Sequence, residues 1–281
     1  MSAPRRGQTL GLCWGSVPGA SVLEMARVAA ANGMVALAVI VDQFASATCG
    51  VAETRRELRR LGVRVAVIDP LIQPLPSAPA VADVAEPRLR RLVGISQADC
   101  WRVGEALEAA AINLTHFLGG PVELARMQDA VAGLAEANHA RGFATTFEFI
   151  PGTGVPDLAT AAALTAASPH TRIMFDTWHF ARSGGTLADI DALPPGAIGA
   201  AQINDWRPPE PGAPYVPMSG RLMPGEGCLP LADILRRIEA NAPGLDVQVE
   251  VFSAEVEALG WEAAVRRMAQ ASRPLLAPGA G

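Results

Sequence analysis

The chain has 281 residues, half of them hydrophobic, and its formal net charge is −5. A chain of this length suits one large α/β barrel or two small domains, and the apolar fraction is ample for a full core. The negative charge removes the electrostatic attraction on which nucleic-acid binding depends, so we expect no nucleic-acid partner.

Lysine and cysteine usage narrows the chemistry further. The sequence contains no lysine, which excludes a lysine Schiff base of either the aldolase or the pyridoxal phosphate (PLP) type. The four cysteines are scattered without a Cys-x-x-Cys pair, as is typical of reduced thiols, so we predict a cytoplasmic location. The N-terminus lacks a hydrophobic segment of signal-peptide length, and no apolar run reaches the ~18 residues of a membrane span, so no membrane partner is expected.

Short apolar runs alternate with longer segments of helical periodicity along the chain. Strands are predicted at 9–14, 35–41, 63–68, 112–117, 144–149, 172–176, 198–204 and 247–252. Helices are predicted at 22–31, 52–61, 97–110, 122–140, 157–167, 229–240 and 261–271. In the fourth of these helices, Met127, Val131 and Leu134 recur at three- and four-residue steps, as one buried helix face requires.

The number and order of these elements predict the fold. Repeated strand–helix units form parallel sheets with right-handed crossovers, and eight units favour a closed (βα)₈ TIM barrel over an open doubly wound sheet. Neither a Gly-x-Gly-x-x-Gly segment after the first strand nor a P-loop is present, so no nucleotide cofactor is expected. We predict a single TIM-barrel domain over residues 1–272 and a flexible tail at 273–281.

Two segments fit neither periodicity. Residues 69–80, DPLIQPLPSAPA, are proline-rich and are predicted to form a surface excursion. Residues 206–227 follow the seventh strand and are too long for a plain connection, so we predict a lid or substrate-binding loop. Trp206, Tyr215, Met218 and Met223 in this loop hint at a substrate that is less polar than a free sugar.

An oxygen-bearing side chain ends each of the last four strand-like runs. Glu148, Asp176, Gln202 and Glu250 fall at or near the ends of predicted strands five to eight. The C-terminal ends of the strands in a TIM barrel face one site, so these side chains are expected to converge. Three carboxylates and an amide oxygen suit Mg²⁺ or Mn²⁺ better than a soft metal, and we predict one such ion per chain.

The four histidines divide into two pairs. His179 follows Asp176 by three residues, where it could be a fifth ligand, a general acid or a neutral donor to a substrate oxygen. His116 closes the fourth predicted strand and is a candidate for the same pocket. His139 and His170 lie at a helix end and before a strand, and both are expected at the surface.

The stretch from Phe147 to Ser253 carries a family resemblance. Its segments are FEF, FDTWH, QIND, RLMPGEG and VEVF. This pattern resembles the xylose-isomerase-like TIM-barrel superfamily, which also contains the AP-endonuclease-type barrels. The resemblance implies a divalent metal held by Glu148, Asp176, Gln202 and Glu250.

The resemblance also implies a substrate-binding set. Members of the family usually direct the histidine after the aspartate and the arginine before Pro-Gly-Glu-Gly toward the substrate. Those residues are His179 and Arg221 here. Further candidates for substrate binding are His116, Trp178 and Asn204.

Gln202 departs from the histidine that is common at the third ligand position of the family. Glutamine there is similar to bacterial 3-dehydroshikimate dehydratases, which also have Asp-x-x-His and Pro-Gly-x-Gly segments. The DNA-processing members use several zinc ions and extra histidines, which four scattered histidines do not supply.

The ligand set predicts chemistry at a carbon next to a carbonyl. A divalent ion stabilises an enediolate while Glu148 or Glu250 removes the α-proton, and the other carboxylate returns it. We therefore expect a metal-dependent isomerase or epimerase of a keto sugar or related polyhydroxylated carbonyl compound. The alternative is a lyase of the 3-dehydroshikimate dehydratase type, in which the enolate expels a β-hydroxyl protonated by an acid such as His179.

A third possible function is of a different class: a metal-binding subunit that assists a partner protein and has no catalytic activity of its own. Loss of a ligand would favour it, but all four positions keep oxygen donors. The expected partner is a small-molecule substrate, and the sequence is compatible with a homo-oligomer.

Overall fold

Eight parallel strands close into a barrel in sequence order, with β8 paired to β1. The computed structural model describes residues 7–45, 50–208, 210 and 220–276. The strands are Thr9–Cys13 (β1), Ala36–Val39 (β2), Arg64–Leu71 (β3), Ala111–Thr115 (β4), Ala144–Glu148 (β5), Thr171–Asp176 (β6), Ile198–Ile203 (β7) and Asp246–Val249 (β8). The predicted (βα)₈ TIM barrel is confirmed.

Helices separate consecutive strands and cover the outside of the barrel. They are Val22–Ala31 (α1), Val41–Ala45 (α2), Val51–Leu61 (α3), Pro87–Val93 (α4), Gln97–Leu107 (α5), Leu124–His139 (α6), Leu158–Thr165 (α7), Thr177–Arg182 (α8), Leu187–Asp191 (α9), Leu231–Asn241 (α10), Ala254–Glu257 (α11) and Trp261–Ser272 (α12). Short 3₁₀ turns occur at Trp14–Ser16, Val81–Asp83 and Arg273–Leu275. None of the helices in the described ranges is long and apolar enough to cross a membrane.

Local sequence signals set several helix ends. Ser21 and Glu24 form a capping box at the start of α1, in which each side chain binds the other residue's backbone N–H. Gly62 ends α3 in the left-handed conformation at φ 68°, where a side chain would be strained. The capping box starts α1 at the C-terminal edge of the barrel, whereas Gly62 ends α3 at the N-terminal edge, from which β3 begins.

The expectation that residues 69–80 form a surface excursion is wrong at its beginning. Strand β3 runs through Pro70 to Leu71, and Asp69 is only 4% exposed while Leu71 and Ile72 are fully buried. The strand tolerates Pro70 because its register with β4 shifts between Ile68 and Leu71, where a missing N–H breaks no regular ladder. The excursion to the surface begins only after residue 72.

The predicted lid and tail lie partly outside the described residues. Residue 209 and residues 211–219, with Tyr215 and Met218, belong to the undescribed part of the 206–227 loop, as residues 277–281 do at the C-terminus. The described end of the loop returns to the barrel at Arg221 and Leu222.

Candidate metal centre

Three of the predicted ligands meet at the C-terminal edge of the barrel. Glu148 ends β5, Asp176 ends β6 and Glu250 directly follows β8. One carboxylate oxygen from each lies within 4.8 Å of those from the other two, and all three side chains are buried. These positions converge because the C-terminal ends of parallel barrel strands surround one pocket.

Gln202, the fourth predicted ligand, is fully buried inside the barrel. It sits inside β7 and is paired in register with Asp176 on one side and Gln248 on the other, two residues before Glu250. Its Nε2 donates to Asp69 Oδ2 at 3.1 Å. Its buried Oε1 has no hydrogen-bond partner among the residues that the structure describes, and is therefore a free acceptor.

Three further polar residues of the site were missed by the sequence-based prediction. Asp69, Asn113 and Cys13 come from β3, β4 and β1, and all are buried. Asn113 Nδ2 donates to Asp69 Oδ1 at 2.7 Å and lies 3.3 Å from Glu148 Oε2. The Cys13 thiol lies 2.9 Å from Glu250 Oε1.

Cys13, Asp69 and Glu250 also offer ligand atoms that lie within 4.8 Å of one another. Glu250 therefore belongs to two adjoining acidic groups. The only sequence hint was the position of Asp69 at the end of an apolar run, and the prolines that follow obscured it.

Arg221 inserts its guanidinium among the carboxylates. Its Nη2 lies 2.9 Å from Glu250 Oε2 and 3.5 Å from Asp176 Oδ2, and the residue is 4% exposed. The guanidinium also lies against the rings of Trp178 and Phe252, with centroid distances of 4.8 and 4.9 Å. These contacts place one fixed positive charge in a site that contains several acids.

Asp205 fixes the loop that carries Arg221. Its backbone exchanges two hydrogen bonds with Leu222, at 2.8 and 2.9 Å. Its carboxylate accepts backbone N–H groups from Gly225 at 2.9 Å and from Leu229 at 3.1 Å. The returning end of the 206–227 loop is therefore held at the pocket by one buried aspartate.

His179 and Trp178 reach the pocket because Asp176 caps the short helix that begins after it. Asp176 Oδ1 accepts the backbone N–H groups of Trp178 at 2.7 Å and His179 at 2.9 Å. His179 Nε2 then lies 3.4 Å from Glu148 Oε1 and 3.4 Å from Arg221 Nη2. Both His179 and Trp178 line the pocket.

Asn204 supports Asp176 from behind. Its Nδ2 donates to Asp176 Oδ2 at 3.0 Å, and its Oδ1 accepts from the Thr177 hydroxyl at 3.0 Å. With its side chain bound in this way, it positions a carboxylate instead of lining the pocket.

His116 is not brought to the pocket, which Thr115 lines in its place. Its Nε2 lies 2.9 Å from the Pro76 carbonyl and its Nδ1 accepts the Gly154 N–H at 3.1 Å. Gly119 packs so closely that a Cβ there would lie 2.1 Å from His116 Nε2. Neighbouring strand residues point to opposite sides, so His116 joins two surface loops while Thr115 faces inward.

His139 and His170 lie far from this group of residues. Their rings stack with centroids 3.8 Å apart, and His170 Nε2 lies 3.4 Å from Glu136. His139 is exposed and His170 is half-buried, so the surface location predicted for both holds fully only for His139.

Burial governs the electrostatics of the site. It raises the pKa of Glu148 well above its usual range, and neighbouring Asp69 and Glu250 raise it further. It also raises the pKa of Glu250 to about 7, although Arg221 opposes this shift. Burial lowers the pKa of His179 to about 3, so its imidazole is neutral at pH 7. Burial disfavours the charged guanidinium, yet Glu250, Asp176 and Glu148 together raise the pKa of Arg221.

The pocket above these groups is narrow and mostly apolar. It has a volume of about 50 Å³. Its floor is formed by Asp69, Glu148, Glu250, His179 and Arg221. Its walls are Trp14, Pro70, Leu92, Thr115, Phe117, Ile150, Trp178 and Phe252. The arrangement combines an acidic floor with walls that exclude water.

The family model for the xylose isomerase-like TIM barrel matches residues 26–273. The chain belongs to this family. A comparison with proteins of curated function finds no significant sequence match.

Several solved structures share the fold of this chain at low sequence identity. The zinc-bound IolI protein has a TM-score of 0.78 and 13% identity, with 95% of this chain and 98% of that chain covered. D-psicose 3-epimerase, solved in the presence of D-fructose, has a TM-score of 0.66 and 14% identity over 95% and 96% of the two chains. AsbF of Bacillus anthracis, a probable 3-DHS dehydratase in petrobactin synthesis, has a TM-score of 0.68 and 14% identity over 93% and 97%.

The donor set of this family member fits a divalent cation. The three carboxylates lie around one point, and the unpartnered Gln202 Oε1 supplies a neutral oxygen at the same edge. Hard oxygen donors of this kind favour Mg²⁺ or Mn²⁺, while the adjacent Cys13 sulfur is a donor that zinc accepts. A cation would also offset the repulsion that raises the carboxylate pKa values.

The raised pKa of Glu250 predicts that the metal-free protein loses stability as pH rises. In the unfolded chain this carboxyl titrates near its ordinary value of 4.5, whereas in the fold its pKa is about 7. Between these values the folded state holds a proton that the unfolded state has lost, so the stabilisation present below pH 4.5 is lost toward pH 7.

Between pH 4.5 and pH 7, the titration of Glu250 should therefore lower the free energy of unfolding by up to about 3 kcal/mol. Glu250→Gln should remove this contribution to the pH dependence. Urea unfolding with a chelator at pH 4.5 to 7.5 measures the difference. Glu53→Gln, an exposed site on α3, is the matched control and should keep the wild-type slope. Equal slopes in wild type and Glu250→Gln would contradict the assignment.

Proposed function

We propose that this protein is a divalent-metal-dependent isomerase or epimerase that removes a proton next to a carbonyl. Its substrate class is a keto sugar or a related polyhydroxylated carbonyl compound. The observation that carries the proposal is the placement of two buried glutamates, Glu148 and Glu250, in one pocket beside Asp176 and the free oxygen of Gln202.

The positions of the two glutamates support proton exchange with a substrate in the pocket. Glu148 comes from β5 and Glu250 from beyond β8, with two strands between them, so they approach the pocket from different sides. Burial raises the pKa of both carboxyls, which favours groups that hold and release a proton near neutral pH. One takes the α-proton and the other returns it to the opposite face.

Asp176, Gln202, Glu148 and Glu250 would hold the metal. A bound divalent ion would polarise the substrate carbonyl and its neighbouring hydroxyl. The neutral His179 and the charged Arg221 can both donate hydrogen bonds to substrate oxygens from the same floor. The aromatic walls exclude water and protect the deprotonated carbon.

A lyase of the 3-dehydroshikimate dehydratase type is the second candidate. The apolar walls suit a substrate that is less polar than an open sugar, and His179 lies 3.4 Å from Glu148, where it could donate to a leaving hydroxyl. D-psicose 3-epimerase and the probable 3-DHS dehydratase share this fold at 14% identity, a level that supports either reaction equally.

Metal analysis and solvent-hydrogen exchange test the proposal. Protein purified without chelator should contain one equivalent of Mn²⁺ or Mg²⁺, measured by elemental analysis. With Mn²⁺ in D₂O, a panel of ketoses should lose the α-hydrogen signal in proton NMR and yield an epimer or aldose.

Two outcomes would redirect the assignment. Absorbance of a new conjugated product from 3-dehydroshikimate, without exchange into any ketose, would select the lyase. Zinc at two or three equivalents, with neither reaction, would reject both candidates.

A further inference from the structure

The catalytic pocket is too small for a whole sugar. Its volume is about 50 Å³. For comparison, a cavity of about 150 Å³ holds a single benzene ring. A substrate of five or six carbons can place only its reacting end over the carboxylates, so the rest of it must occupy other space.

A second cavity of about 190 Å³ opens next to the catalytic pocket. Trp14 and Leu92 line both cavities, so the two share a wall. The second cavity is built from the turns after β1 and β2 and from helix α4, all at the catalytic edge of the barrel. Ile40 and Leu89 extend its apolar side, against which the carbon chain of a ligand can pack.

The second cavity differs from the first in charge. Arg88 and Arg91 line it, together with a single acid, Asp42. Arg91 Nε lies 3.9 Å from Asp42 Oδ2, and Arg88 has no ion pair within 4.0 Å in the described ranges. Two arginines thus face one acid in the cavity lining, and the next acid, Glu86 at the start of α4, lies near enough for both arginines to lower its pKa. The catalytic floor instead has three carboxylates, Asp69, Glu148 and Glu250, around Arg221.

This contrast orients an anionic substrate. A carboxylate or phosphate on the substrate is repelled by Glu148, Glu250 and Asp69 and attracted to the arginines of the second cavity. Guanidinium groups bind such anions through paired N–H donors.

We propose that the cavity lined by Arg88 and Arg91 is a second substrate subsite. It takes a terminal anionic group, remote from the reacting carbon, of a five- or six-carbon carbonyl compound. This inference rests on the proposed function for the placement of the reacting end, and it extends that function by naming the substrate class.

Binding of paired charged and neutral sugars to the manganese-loaded protein tests the subsite. D-glucuronate and D-glucose differ in a terminal carboxylate, and D-fructose 6-phosphate and D-fructose differ in a terminal phosphate. Isothermal titration calorimetry should show about tenfold tighter binding of the charged member of at least one pair. The pair that shows the preference identifies the anion as carboxylate or phosphate.

Two variants test whether the preference for the charged sugar arises in the second cavity. Arg88→Ala/Arg91→Ala should reduce the affinity ratio to about one. Leu89→Trp, which fills the second cavity without changing charge, should reduce it as well. Arg56→Ala/Arg126→Ala, two exposed arginines on outer helices, changes the net charge equally and should keep the wild-type ratio.

The affinity ratio tests the subsite whether or not the proposed reaction occurs. A wild-type protein without preference for either charged member, or a preference that survives Arg88→Ala/Arg91→Ala, overturns the subsite. Failure of hydrogen exchange with every ketose rejects the proposed reaction instead, because the affinity ratio is measured without turnover.

Discussion

Replacing Glu148 by glutamine should abolish hydrogen exchange at the substrate α-carbon while leaving the fold intact. The carboxamide has nearly the same shape and can still offer an oxygen to a metal, but it cannot accept a proton. General-base catalysis contributes about 10²- to 10⁴-fold, so exchange should fall by at least that factor. The measurement is deuterium incorporation followed by NMR, with circular dichroism as the check on folding.

The surroundings of Glu148 make this substitution conservative in structure. Its Oε2 lies 3.3 Å from Asn113 Nδ2 and its Oε1 lies 3.4 Å from His179 Nε2. Glu53→Gln, exposed on α3, should retain full exchange. Wild-type exchange in Glu148→Gln would mean that Glu148 serves only as a ligand and that Glu250 is the base.

Removing the guanidinium of Arg221 should strongly destabilise the metal-free protein. It should also increase the gain in unfolding free energy that a bound metal ion gives. Truncation of one partner of a buried ion pair costs about 3–5 kcal/mol, because the opposite charge stays buried without compensation. In Arg221→Ala, Glu250 and Asp176 both lose a cation that lies 2.9 and 3.5 Å away. A divalent ion among the same carboxylates should replace that charge.

The difference between conditions distinguishes charge replacement from simple loss of packing. Urea unfolding with a chelator should show the full deficit of Arg221→Ala, and saturating Mn²⁺ should recover most of it. Arg267→Ala, which removes an exposed arginine paired with Glu226, should change stability by less than about 1 kcal/mol under both conditions. An equal deficit with and without Mn²⁺ would show that the arginine and the ion do not compete for the carboxylates.

The barrel and its acidic edge follow from local sequence patterns. Eight apolar runs separated by amphipathic segments suffice to predict a parallel barrel, because each βα unit buries its strand in the same way. Glu148, Asp176 and Glu250 were predictable as neighbours because each ends such a run. Parallel strands then bring those ends to one edge whatever the details of packing.

Depth within the barrel depends on register, which the linear pattern does not contain. Gln202 pairs in register with both Asp176 and Gln248, and its amide reaches across the barrel to Asp69 on β3. Likewise Thr115, one residue before His116, is the one that faces the pocket. A shift of one strand position reverses the direction of a side chain, so only the assembled sheet decides which residues meet.

The sequence by itself determined the fold and three carboxylates of the site, because both depend on short-range periodicity. Only the tertiary structure placed Cys13 and Asp69 beside them, and only it showed that Arg221, which the family resemblance had directed toward the substrate, contacts Glu250 and Asp176. Asp69 was hidden because the prolines after it resemble a loop, and β3 accommodates the first of them, Pro70, at a register shift. Arg221 arrives from a loop fixed by Asp205, and Cys13 lies more than 230 residues from Glu250, which it contacts. Contacts between such distant positions arise from closure of the barrel, which no local pattern encodes.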